Sequence, residues 1–330
     1  MTGHRSNVEE LLARLTKGDR NALSKAITLV ESRLPAQRET ARSLIKQVTD
    51  PDFRTRRIAI SGAPGVGKST FIESLGLYLI DKGHKPAILT IDPSSHFSGG
   101  SILGDRTRME ELSKRDEAYI RQSPSSQYLG GVSRRTRESI FLCEAAGYDT
   151  ILVETVGVGQ SEYLAADLTD IFVLLVQPGS GDELQGVKKG VMEMADILVV
   201  TKADGPLEKV AQQSRRELRN AVHILQSKSH GFPREVCSVS ARENRGLDNF
   251  WKLVSNFLKK ITDKGYLQAE RHNQKAIWLT DVVDELWLEL LKNNDEIQSL
   301  IKTSSEAVKN NDIHVYDAAF EIMSRRLRNL

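Results

Sequence analysis

Six short apolar runs, at 57–61, 87–91, 150–154, 171–177, 197–201 and 235–239, most constrain this 330-residue chain. Each is closed by Gly, Pro, Asp or another polar residue and is followed by a helical pattern. Several are apolar at every position: Ile-Leu-Val at 151–153, Phe-Val-Leu-Leu-Val at 172–176 and Ile-Leu-Val-Val at 197–200. Side chains alternate across a strand, so an unbroken apolar run has both faces buried, as in a parallel strand covered by helices. Strand and helix in alternation predict a doubly wound, mostly parallel α/β fold, whose ligand site lies at the carboxyl ends of the strands.

Helical patterns flank this core. Leu23, Ile27, Val30 and Leu34 form one stripe of a helix that Asp19 can cap, and Pro35 suits the first turn of a second helix carrying Leu44, Ile45 and Val48. Asp50-Pro51-Asp52 closes this arm. Leu279, Val283, Leu286 and Leu290 repeat the spacing near the other end, and Val315, Ala319, Met323 and Leu327 mark a last helix behind Asp312. The expected division is a helical arm at 1–52, the α/β domain at 53–262 and a C-terminal helical region at 263–330.

Composition narrows the partners. Lys and Arg number 46 and Asp and Glu 44, and the basic residues of the first 57 are interleaved with Glu9, Glu10, Asp19, Glu31 and Glu39, which reads as solvated helix faces. No nucleic-acid partner is expected. Cys143 and Cys237 have no C-x-x-C companion, against a disulfide framework or zinc ribbon. No apolar run approaches 18 residues and the start has no apolar signal region, so the expectation is a cytoplasmic-type chain with no membrane partner. The histidines show no metal-ligand spacing.

Gly62-Ala63-Pro64-Gly65-Val66-Gly67-Lys68-Ser69 matches G-x-x-x-x-G-K-[ST], between a strand at 58–60 and a helix opening at Lys68 and Thr70. Backbone N–H groups of such a loop curl round phosphate oxygens at a helix N-terminus. Lys68 is expected to reach the β- and γ-phosphates and Ser69 to ligate Mg²⁺. The strand at 150–153 delivers Glu154 to its end, with Gly157 three residues on, a longer-armed version of the D-x-x-G of GTPases. No Gln follows Gly157 directly, and Gln160 is a candidate to orient water. Asp92 and Asp105, in and beyond Asp92-Pro93-Ser94-Ser95, are candidates for Mg²⁺ or for ordering the attacking water, with ordinary loop caps as the alternative.

Thr201-Lys202-Ala203-Asp204 is a variant of the guanine-reading N-K-x-D. Asp204 can accept from guanine N1–H and the 2-amino group, which adenine lacks, and the stem of Lys202 can lie over the base. Thr201 replaces the usual Asn, which puts its bridging contact in doubt. Ser240-Ala241-Arg242 is similar to the S-A-[KR] loop that approaches guanine O6. GTP is therefore favoured over ATP. Segment 121–137, with Arg134-Arg135, reads as a second exposed turn leading into a helix, its arginines expected on a solvated face, with a cis-acting Arg on the phosphates as the alternative. The glycine-hinged loop 178–189 is a candidate to change shape on hydrolysis.

Together the motifs resemble one family, the MeaB/MMAA-type (ArgK) GTPases of the SIMIBI class. The likeness covers roughly 44–330 and is most specific at 92–105, at 123–132 and at 154–162 (Glu-Thr-Val-Gly-Val-Gly-Gln-Ser-Glu). The resemblance implies a homodimer formed through the C-terminal helices, and a client, adenosylcobalamin-dependent methylmalonyl-CoA mutase. A GTP-driven chaperone of this kind gates cofactor loading and protects the mutase, hydrolysing slowly until the client joins. The alternatives are a metal-inserting GTPase, for which a Cys/His cluster is expected, and a small-molecule kinase, which has no use for Asp204.

Overall fold

The computed structural model describes residues 2–32, 34–48, 55–91, 109–123, 129–155, 161–179, 189–222 and 230–327. Among them seven strands form one sheet: β1 (Arg56–Gly62), β2 (Pro86–Ile91), β3 (Tyr119–Ser123), β4 (Thr150–Thr155), β5 (Ile171–Val176), β6 (Ile197–Val200) and β7 (Glu235–Ser238). Their order is β3-β2-β4-β1-β5-β6-β7 and every pairing is parallel. The doubly wound fold expected from the apolar runs is the fold found. The chain leaves β1 toward β2 on one side and later crosses from β4 to β5 on the other. This switch point opens a crevice at the carboxyl end of β1.

The helices are α1 (Thr2–Leu15), α2 (Arg20–Glu31), α3 (Pro35–Gln47), α4 (Lys68–Asp81), α5 (Glu110–Ser113), α6 (Leu129–Ala145), α7 (Ser161–Leu168), α8 (Lys189–Met194), α9 (Glu208–Val222), α10 (Leu247–Asp263), α11 (Tyr266–Lys292), α12 (Asp295–Lys309) and α13 (Val315–Leu327). Asp19 caps α2 as expected, accepting from the N–H groups of Asn21 at 2.8 Å and Ala22 at 3.1 Å. Leu34 is not part of that helix's stripe. The helix stops at Glu31, and Leu34 stands exposed before Pro35 at the start of α3.

Alternation along each strand builds two apolar layers. Ile58, Ile60, Leu152, Val173 and Leu175 share one with Phe71, Leu75 and Leu79 of α4 and Phe250, Val254 and Phe257 of α10. Ala59, Leu89, Val153, Phe172 and Leu174 share the other with Leu142 and Cys143 of α6 and with Leu23, Ile27 and Leu44 of the N-terminal helices. Each buried Leu, Ile or Phe contributes about 1.5–3 kcal/mol relative to exposure.

The seventh strand corrects the reading of 121–137 as an exposed turn. Tyr119–Ser123 is the edge strand β3, in register with β2 from Ala87↔Tyr119 to Ile91↔Ser123. An edge strand is covered incompletely, so Tyr-Ile-Arg-Gln-Ser never makes an apolar run. Helix α2 blunts that edge: Arg121 pairs with Glu31, and the Tyr119 and Ser24 hydroxyls lie 3.3 Å apart.

At the opposite, amino end of the strands, a buried polar network locks β1 in place. Arg57 donates to both oxygens of Glu144 at 2.7 and 2.8 Å, and the Thr55 hydroxyl adds a third bond at 2.5 Å. Arg271 of α11 grips both oxygens of Asp170 at 2.8 and 2.7 Å and the Thr55 carbonyl at 2.7 Å.

The chain forms two compact units, Met1–Lys275 and Ala276–Leu330. In the second, Leu279, Val283 and Leu290 of the stripe read from the sequence are exposed, as are Val315, Tyr316 and Phe320. No helix among the described residues is long and apolar enough to cross a membrane.

Candidate active site

Strand β1 ends at Gly62 and α4 begins at Lys68, so the loop between them turns at the switch point. A Cβ on Gly62 would lie 2.8 Å from the Leu175 carbonyl oxygen, and Gly67, the residue before α4, sits at φ 100°. Both positions require glycine. Val66 is buried and anchors the loop, while Ala63, Pro64 and Gly65 are exposed on its rim, as is Thr70 at the start of the helix. The Lys68 ammonium folds onto its own loop, donating to the Gly62 carbonyl at 2.7 Å and the Ala63 carbonyl at 3.2 Å. Burial lowers its pKa, and the Glu154 and Glu162 carboxylates act in the opposite sense.

Pairing of β4 with β1 sets Glu154 opposite Ile60, and the Ser69 hydroxyl donates to Glu154 Oε1 at 3.3 Å. A hydroxyl and a carboxylate in contact are hard oxygen donors. They suit Mg²⁺, which takes one or two protein carboxylates and fills its shell with phosphate oxygens and water. Asp92, Asp105, Gly157 and Gln160 lie outside the described residues, as do 180–188 of the loop after β5. Glu162, in the first turn of α7, is 4 % exposed and directs its charge at Lys68. In the sequence it stands only as the last residue of the 154–162 motif. Its signal was an acidic residue opening a helix directly after the β4 loop.

Of the two loops expected to read the base, 201–204 is fastened to the phosphate loop and 240–242 to 201–204 and α4. The Thr201 hydroxyl donates to the Val66 carbonyl at 2.7 Å, so a tie to the phosphate loop is made without the Asn. Lys202 Nζ donates to the Gly65 carbonyl at 2.8 Å and approaches Gln177 Oε1 at 3.3 Å. Lys202 adopts φ 51°, a left-handed conformation uncommon for a residue with a side chain. The Ser240 hydroxyl donates to Asp204 Oδ2 and accepts from the Glu243 N–H at 3.1 Å. Ala241 is held from below, its carbonyl accepting from Ser74 of α4 at 2.9 Å. Arg245, which the motif reading passed over, joins the loops by donating to the Ala203 carbonyl at 2.6 Å. Arg242 is exposed beside them.

The arginines at 134–137 are not on a solvated face. Arg135 and Arg137 are 6 % and 2 % exposed, and Arg134 pairs with Glu138 at 2.9 Å. Helix α6 lies between the sheet and the N-terminal helices, where both of its sides are covered.

Residues 23–296 match the family model of the methylmalonyl Co-A mutase-associated GTPase MeaB. The match therefore begins inside α2, further toward the amino end than the motif resemblance reached. The chain is 45% identical over 304 residues to the mitochondrial methylmalonic aciduria type A homolog of Mus musculus, covering 89% of this chain and 73% of that protein. It is 42% identical over 308 residues to the GTPase ArgK of Escherichia coli, covering 93% of each. A crystal structure of a LAO/AO transport system kinase superposes with a TM-score of 0.73 at 35% identity, covering 98% of each chain. By the family model over 23–296 and by these relatives, this protein belongs to the MeaB family of GTPases.

Proposed function

We propose that this protein binds Mg²⁺–GTP in the crevice at the carboxyl ends of β1, β4 and β6, hydrolyses it, and couples the cycle to a protein client. The proposed client is adenosylcobalamin-dependent methylmalonyl-CoA mutase, whose cofactor loading the GTPase gates and whose inactivation it prevents. In this reading the N–H groups of 62–70 cradle the phosphates. Lys68 leaves the Gly62 and Ala63 carbonyls for the β- and γ-phosphate oxygens, and its ammonium stabilises charge there. Ser69 and Glu154, with Asp92 and Asp105, would hold the Mg²⁺ ion, which would supply charge neutralisation to the phosphates. Gly157 senses the γ-phosphate. Asp204 accepts from guanine N1–H and its amino group, Lys202 covers the base, and the loop of Ser240, Ala241 and Arg242 approaches O6.

The observation that carries the preference for GTP is the tether between the loops. Gly65 and Val66 of the phosphate loop are bonded to Lys202 and Thr201, and the Asp204 carboxylate is aimed by Ser240. Membership in the MeaB family supports the client. The exposed Leu279, Val283 and Leu290 support a homodimer through 263–330, with 53–262 as the GTPase domain and 1–52 as the N-terminal arm. The proposed location is the cytoplasm.

Steady-state hydrolysis of GTP and ATP, with and without the mutase, tests the reading. GTP-selective turnover that rises on adding the mutase is expected. Equal turnover of ATP refutes the base assignment, and indifference to the mutase refutes the client.

A further inference from the structure

Thr201 changes which edge of the base this site can read. Guanine presents two acceptors on one side, O6 and N7. An Asn at the strand end, usual in guanine-reading loops, carries two amide hydrogens, one for a phosphate-loop carbonyl and one for N7. A threonine hydroxyl has a single hydrogen. Here that hydrogen is directed at the Val66 carbonyl at 2.7 Å, and the hydroxyl's other neighbour, the Val176 carbonyl at 3.3 Å, is again an acceptor. Thr201 is 4 % exposed, and with its hydrogen so placed it has only lone pairs to offer an incoming ring nitrogen. The next donor along the loop, the Lys202 ammonium, is drawn to Gly65 and Gln177.

We infer that this protein recognises guanine without the N7 donor that position 201 usually supplies: Thr201 is a positioning residue that holds the phosphate loop, and discrimination is left to Asp204 and the Ser240–Arg242 loop. The inference rests on the guanine reading proposed above. It separates two jobs that a single Asn performs together. Losing the Thr201 hydroxyl should weaken every nucleotide alike, because it loosens the phosphate loop and touches no base.

Competition binding with GTP, 7-deaza-GTP and ATP tests this on the full-length protein. In 7-deaza-GTP a C–H replaces N7 and the rest of the base is kept. The wild type is expected to prefer GTP over ATP and to bind 7-deaza-GTP within about twofold of GTP, whereas a made N7 bond of ordinary strength would separate them by roughly threefold to tenfold. Thr201→Val should weaken all three nucleotides by a common factor, with Thr201→Ser restoring them. Thr201→Asn should create a preference for GTP over 7-deaza-GTP where the wild type has none. Should Asn prove too large for this buried position, the wild-type ratio and the Val and Ser variants decide the matter alone. A wild type that prefers GTP over ATP yet binds 7-deaza-GTP about threefold worse or more overturns the inference and leaves the guanine reading intact. A wild type that does not distinguish GTP from ATP overturns the guanine reading, and this inference with it.

Discussion

Replacing Asp204 with Asn tests the base assignment most directly, because its neighbours dictate how the new amide must sit. Ser240 accepts the Glu243 N–H and donates its own hydrogen to Asp204 Oδ2, so the position of Oδ2 has to be filled by an acceptor. In Asp204→Asn the amide oxygen takes that position and the NH₂ group takes the other, facing guanine N1–H and its amino group donor to donor. Two hydrogen bonds to a charged acceptor are lost, each worth about 1.5–3 kcal/mol, or about 3–6 kcal/mol together. That range corresponds to a roughly 10²- to 10⁴-fold loss of GTP affinity. Asp204 is half-buried and partly screened by water, so the lower end is expected. ATP binding should hardly change. XTP, which carries a carbonyl where guanine has its amino group, should bind the variant better than the wild type. Calorimetric titration with the three nucleotides measures all of this, and circular dichroism checks that the variant is folded. A loss of GTP affinity below about fivefold, or an unchanged GTP-to-ATP ratio, refutes the role given to Asp204.

Removing the cation of the phosphate loop, Lys68→Ala, should cut GTP turnover at least about 10²-fold, and hydrolysis at the wild-type rate would refute the loop's role. Glu154→Gln should raise the Mg²⁺ concentration required for half-maximal turnover; an unchanged magnesium titration would remove Glu154 from the metal site. At the amino end of the sheet, Glu144→Gln removes the carboxylate that grips the 5 % exposed Arg57 and should cost about 3–5 kcal/mol in urea unfolding, most of it recovered in a double Arg57→Met, Glu144→Leu variant. A cost under about 1 kcal/mol would show that the buried pair is not holding β1. Burial raises both thiols, Cys237 to about 12 against an ordinary 9.0, so neither should react with a thiol reagent at pH 8 until the chain unfolds. Because the unfolded thiol ionises near 9.0 and the folded one near 12, stability from Cys237 is complete below pH 9.0 and is lost as pH rises toward 12. A flat stability profile across that range would contradict the burial.

The parallel sheet could be read in advance because β1, β2, β4, β5 and β6 are buried on both faces, so the middle of each is a run of apolar residues without alternation. The phosphate loop was legible for a related local reason: Gly62 and Gly67 occupy places where a side chain would collide or strain the backbone. Strand β3 escaped notice because an edge needs covering on fewer sides, and Arg121 finds its partner in Glu31, 90 residues away in the chain. The burial of Arg135 and Arg137 was likewise invisible, since the helices that cover α6 come from distant parts of the sequence. At the site, the motifs themselves named Lys68, Ser69, Glu154, Lys202 and Asp204. What Thr201 does, and that Ser240 aims Asp204, depends on hydrogen bonds to Val66 135 residues away and to a carboxylate 36 residues away. Local residue type and spacing thus determine the elements and the chemistry they carry. Where each donor sends its hydrogen is decided only when β1, β6 and β7 come together in one sheet.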